Sequence, residues 1–67
     1  MSEFSIRLTE LRKEFGISQA KLAKEIGATQ KAIDFWEKGI NEPKASFIIK
    51  LANYFKVSTD YLLGLED

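Results

Sequence analysis

Cysteine and histidine are both missing from these 67 residues. Without cysteine there is no disulfide to staple the fold and no thiolate to hold a metal. Without histidine there is no imidazole ligand, and no side chain whose ordinary titration falls near neutral pH. A glycine-rich phosphate loop is also absent, and so short a chain has little room for a deep pocket. The expectation is a protein that is not an enzyme, with no metal, no cofactor and no evident small-molecule ligand. Apolar runs are only a few residues long, so nothing reads as a membrane span. The opening Met-Ser-Glu-Phe-Ser-Ile-Arg lacks the apolar stretch of a secretory leader, and a cytoplasmic protein is expected. An excess of charge of either sign is missing too, with 10 Lys and Arg against 10 Asp and Glu.

What is present is a normal apolar fraction, 45%. A chain this small buries only about 60% of the surface its unfolded form exposes, so stability needs a dense core or a second subunit. Gly16, Gly27, Gly39, Pro43 and Gly64 divide the sequence into short blocks with helical rather than alternating spacing. Phe4, Leu8, Leu11 and Phe15 form one helical stripe in a block from Glu3 to Phe15, with Ser2 as its cap and Gly16 as its stop. A second block runs Gln19 to Ile26 behind Ser18, and a third runs Gln30 to Lys38 between Thr29 and Gly39. After the loop Ile40-Asn41-Glu42-Pro43, a fourth covers Ala45 to Phe55, with Ile48, Leu51, Ala52 and Phe55 inward. A fifth covers Thr59 to Leu63 behind Ser58. This pattern predicts an all-α fold of five short helices in one domain, residues 1–67, with its core at about 8–62. Charges such as Glu10, Lys13 and Glu14 fall at the spacing of a solvated helix face.

The stretch Gln19 to Lys38 carries the sharpest signal. Two short helices joined by a tight turn are the plan of a helix-turn-helix. Ala23 is small where the helices must cross closely, Gly27 supplies a positive φ, and Leu22, Ile26, Ala28, Ile33 and Trp36 form the wedge between them. At 100° per residue, Ile33, Trp36 and Glu37 share one side of the third helix, and Gln30, Lys31, Asp34 and Phe35 occupy another arc.

Leu11-Arg12, Gly16-Ile17-Ser18-Gln19, Leu22-Ala23, Ile26-Gly27, Ile33, Trp36-Glu37, Gly39, Pro43, Leu51-Ala52, Val57-Ser58 and Leu62-Leu63-Gly64 together resemble the Cro/CI-type, or XRE, helix-turn-helix family of phage repressors and bacterial regulators. The likeness runs from about Leu8 to Gly64. It implies a compact lambda-repressor-like DNA-binding domain, with helices two and three as the motif. The implied role is a prokaryotic, nucleoid-associated transcriptional repressor that binds a pseudo-palindromic operator in double-stranded DNA as a homodimer, with the third helix in the major groove.

On that reading Gln30, Lys31, Asp34 and Phe35 face bases. A glutamine amide can serve adenine N6 and N7 together, a lysine can donate to guanine O6 and N7 or to phosphate, and an aromatic ring can touch thymine methyls. Asp34 either accepts from a cytosine amino group or orients Lys31 or Lys38. The plainer alternative for this arc is a solvated surface with one stray aromatic. The likeness further assigns Gln19 to phosphate, with Lys21, Lys38, Asn41 and Lys44 as further phosphate contacts. It assigns Arg12 and Glu37 to an internal ion pair, and Tyr61, Leu62 and Leu65 to the dimer contact, although Leu62 reads equally as core.

Two departures temper the expected affinity. The loop carries Ile40 and Glu42 where relatives often carry basic residues, and Lys44 stands where many have a capping serine. Lys21, Lys24, Lys31, Lys38 and Lys44 nevertheless gather near the motif, while Glu3, Glu66 and Asp67 lie at the ends. The competing function is a protein-interaction module, or an antitoxin-type partner, on the same fold with its DNA face retired.

Overall fold

The computed structural model describes residues 2–67. Among them are five helices and no strand: α1 (Glu3–Glu14), α2 (Gln19–Ile26), α3 (Gln30–Lys38), α4 (Ala45–Phe55) and α5 (Thr59–Leu62). Four of the five start on a hydroxyl. Ser2, Ser18, Thr29 and Ser58 accept from the amides of Ser5, Lys21, Ala32 and Tyr61 at 3.2, 3.0, 3.1 and 2.9 Å. Each such bond satisfies one amide that the helix itself leaves unpaired, and removing a cap costs about 1 kcal/mol. α4 is the exception, because Lys44 makes no side-chain capping bond.

The ends are closed differently. Gly27 sits at φ 76° after α2, and the next amide, of Ala28, returns to the Ala23 carbonyl at 2.9 Å. A side chain would strain that backbone, which reverses the chain between α2 and α3. α4 ends on Lys56 at φ 58°, a left-handed position held by a residue with a side chain.

Each helix sends one fully buried aliphatic residue into a common centre: Leu8, Leu22, Ile33, Leu51 and Leu62 all have 0% exposure. Burying each stabilises the fold by about 2 kcal/mol. Phe4, Leu11, Ala23, Ile26, Trp36, Ala52 and Phe55 surround them. α3 packs on α1 and α2, α4 packs on α2 and α5, and α5 returns to α1.

Two sequence expectations need correction here. Leu62 belongs to the centre of the core and is not available to a second subunit. Its neighbour Leu65 is 73% exposed, and Tyr61 is half-buried beneath Arg7. Phe15 does not continue the buried stripe of α1. The helix stops at Glu14, and the ring is left largely exposed, edge-on to Phe55 at 4.9 Å between centroids. Ile48, expected inward, does pack against the core, half-buried.

Arg7 fastens the first helix to the last. Its guanidinium lies 4.5 Å from the centre of the Tyr61 ring and donates to the Tyr61 carbonyl at 2.8 Å and to the Glu66 carbonyl. Gly64, at φ 83°, passes so close to Glu3 that an added Cβ would lie 2.5 Å from the Glu3 Cβ. Ser5, fully buried, resolves its hydroxyl by donating to the Ser2 carbonyl at 2.8 Å.

Candidate nucleic-acid interface

The apolar side of α3 fixes which residues are left outside. Ile33 and Trp36 are buried, Trp36 against Phe47 of α4 at 5.5 Å between ring centres. On the opposite arc Gln30 and Lys31 are exposed, while Asp34 and Phe35 are half-buried. Lys31 and Phe35 are one turn apart, and the ammonium stands 5.5 Å from the ring centre. The lysine stem thereby covers part of the aromatic surface while its charge stays in solvent.

Beneath this arc runs a polar network linking α1, α2 and α3. The Arg12 guanidinium meets the Glu37 carboxylate at 2.6 and 3.1 Å and also donates to the Ile17 carbonyl at 2.9 Å. Both side chains are largely withdrawn from water, with exposures of 15% and 7%. The Glu37 carboxylate raises the Arg12 pKa above its ordinary value by hydrogen bonding, against the opposing effect of burial. Gln19 joins from α2, its Nε2 donating to Glu37 Oε1 at 3.1 Å and to Asp34 Oδ1 at 3.3 Å. Asp34 Oδ2 in turn accepts from Lys38 at 2.9 Å. These donors, Lys38 first and then Gln19, hold the Asp34 carboxyl below the usual carboxylate range.

The residues expected to meet phosphate are therefore in unequal states. Lys21 is paired with Glu25 one turn on, at 2.9 Å, which raises the lysine and lowers the carboxyl from their ordinary values. Gln19 and Lys38 are both engaged by Asp34. Asn41 and Lys44 are exposed around the loop after α3. The loop's first two amides are occupied, since Gly39 and Ile40 donate to the Trp36 and Phe35 carbonyls at 3.2 and 2.9 Å. The bond between Gln19 and Asp34 escapes sequence reasoning, because it joins residues fifteen positions apart on different helices. The pairs Lys21–Glu25 and Asp34–Lys38 follow a readable i, i+4 spacing.

Fold and arc together define a helix-turn-helix protein whose second motif helix presents a polar face outward. Residues 8–62 match the family model described as Helix-turn-helix, and the chain belongs to that family. It is 33% identical over 61 residues to the HTH-type transcriptional regulator ImmR of Bacillus subtilis, covering 91% of this chain and 48% of that protein. An uncharacterized HTH-type transcriptional regulator of Archaeoglobus fulgidus is also 33% identical over 61 residues, covering 91% of this chain and 87% of the relative. Among solved structures, the P22 c2 repressor in complex with a synthetic operator superposes with a TM-score of 0.89 at 33% identity, over 94% of this chain and 96% of that one. The chain spans about half the length of several curated relatives it matches, ImmR among them.

Proposed function

We propose that this chain is the DNA-binding part of a cytoplasmic transcriptional regulator, a repressor that occupies a pseudo-palindromic operator as a homodimer. α3 enters the major groove with Gln30, Lys31 and Phe35 toward bases. Asn41, Lys44 and the start of α2 meet the backbone. The observation that carries this reading is the division of α3 into a buried side, Ile33 and Trp36, and an outward side that holds Gln30 and Lys31 in solvent. The similarity to a repressor solved on an operator supports it. Neither arc nor network supplies a nucleophile with a base, which speaks for recognition rather than catalysis.

The direct test is selection of bound duplexes from a random pool. The expected product is a pair of half-sites related by two-fold symmetry, with centres about 10 bp apart. Gln30→Ala relaxes base preference at one position in each half, whereas Lys44→Ala weakens all sequences alike. Selection that enriches nothing, or a single unrepeated half-site, overturns the dimeric operator.

A protein-interaction module on the same fold is the second reading. The equal count of 10 basic and 10 acidic side chains favours it. Titration with random duplex at several salt concentrations separates the two, because counterion release gives a DNA binder a salt-dependent affinity and an interaction module none.

A further inference from the structure

Asp34 stands in the middle of the outward arc of α3, and both of its oxygens are already in use. Oδ1 accepts from Gln19 at 3.3 Å and Oδ2 from Lys38 at 2.9 Å. Gln19 is bound twice through the same nitrogen, to Asp34 and to Glu37. An amide nitrogen has two hydrogens, so this leaves the Gln19 side chain only its carbonyl oxygen, which is an acceptor. A phosphate is also only an acceptor. The Gln19 side chain can donate to phosphate only by leaving one of the two carboxylates.

The two carboxylates differ in their hold. Glu37 is buried at 7% exposure, is gripped by Arg12, and binds Gln19 at the shorter distance of 3.1 Å. Asp34 is 31% exposed and binds it at 3.3 Å. Asp34 is the partner that must release it. The same side chain restrains Lys38, whose own exposure of 63% would otherwise leave it free to reach a phosphate.

Building on the DNA-binding reading above, we propose that Asp34 is a specificity-determining residue that acts by withholding Gln19 and Lys38 from duplexes that place no amino group within its reach. A carboxylate accepts and never donates. Opposite cytosine N4 or adenine N6 it finds a donor, exchanges its internal partners for the base, and frees both side chains for the backbone. Opposite guanine O6 and N7 or thymine O4 it finds acceptors only. The internal bonds then persist, or the carboxylate faces the groove unpaired. Discrimination arises from a penalty on wrong sequences rather than from one more attraction to the right one. An exposed i, i+4 ion pair is weak, so the restraint is releasable and its effect modest.

The test compares the whole chain with its Asp34→Asn and Asp34→Ala variants, each also made with Lys38→Ala. Two duplexes serve as probes: one of random sequence, and one enriched by the parent from a random pool. Binding is followed by anisotropy across a salt series, with circular dichroism confirming that the variants stay folded. Asp34→Asn is expected to tighten random-duplex binding about 5-fold, the equivalent of one weak ion pair. The salt slope steepens by about 0.9 for each phosphate newly engaged. Affinity for the enriched duplex gains less, so the ratio of specific to non-specific affinity falls. Asp34→Ala gains at least as much, because asparagine keeps an acceptor for Gln19 and alanine does not. With Lys38→Ala in place, most of the gain disappears. Unchanged random-duplex affinity in both variants overturns the proposal. So does a gain that survives Lys38→Ala in full, which would make Asp34 a plain source of repulsion. A parent that binds no duplex removes the DNA-binding reading itself, and this proposal with it.

Discussion

Two arginines on α1 do the same job in different ways. Arg12 joins α1 to α3 through a carboxylate, and Arg7 joins α1 to α5 through backbone carbonyls and an aromatic face. Their own side chains are equally withdrawn from water, at 15% exposure each. What differs is the partner left behind if the arginine is lost. Glu37 would be a buried charge with no counter-charge. The carbonyls near Arg7 would be neutral groups, and the one carboxylate it meets, Glu3 at 3.4 Å, is 62% exposed and already solvated. An anchor whose partner is a buried charge is therefore strict, and one whose partners are neutral or solvated is forgiving, even at the same depth.

The sharpest way to break this comparison is Arg12→Ala. Stranding a buried carboxylate costs about 3 kcal/mol, enough to unfold much of so small a domain. Urea denaturation followed by circular dichroism measures it. Arg12→Met with Glu37→Leu should recover most of that loss, because an apolar pair of similar volume needs no counter-charge. If the double variant is as unstable as the single one, the stranded charge is not the cause.

Gly64→Ala comes next, at about 2 kcal/mol from the left-handed backbone alone. The approach to the Glu3 Cβ adds to it. Thermal unfolding should show a lower midpoint, and an unchanged one would mean that Gly64 does not hold its left-handed turn against Glu3 in solution. Arg7→Ala is smaller, about 1 kcal/mol, because the carbonyls of Tyr61 and Glu66 can turn to water once the guanidinium is gone.

The smallest effect is a difference in acid. The carboxyl of Asp34 lies lower when folded than in the unfolded chain. Its contribution is present above the ordinary aspartate value of about 3.9 and is lost as pH falls through the lower folded value. The parent should therefore lose slightly more stability than Asp34→Asn in that window. The Arg7 carbonyls do not titrate and add nothing to the difference. Parallel acid titrations of the two proteins read it directly.

The elements were legible because their signals are local. A hydroxyl ahead of an apolar stripe and a glycine behind it locate α2 and α3 without knowledge of any neighbour. Less legible were the features set by neighbours. Phe15 obeys the spacing of α1, but the helix has already ended beside it. Leu62 reads as core or as contact until α5 is seen to fold inward. Lys56 takes a left-handed position that glycine usually marks, so the stop of α4 carries no glycine signal. At the candidate site, the outward arc is a matter of periodicity. The engagement of Gln19 by two carboxylates of α3 depends on how α2 crosses α3, which spacing along one helix does not encode.

The clasp at Arg7 has a kinetic consequence. It joins residues 54 and 59 positions apart, so it closes nearly the whole chain into a ring. Closing a loop of that length costs more entropy than pairing neighbouring helices, and such a contact is expected to form after the rate-limiting step. In a chevron plot, Arg7→Ala should then raise the unfolding limb and leave the refolding limb in place. The domain's lifetime, rather than its speed of assembly, is what this corner of the molecule controls.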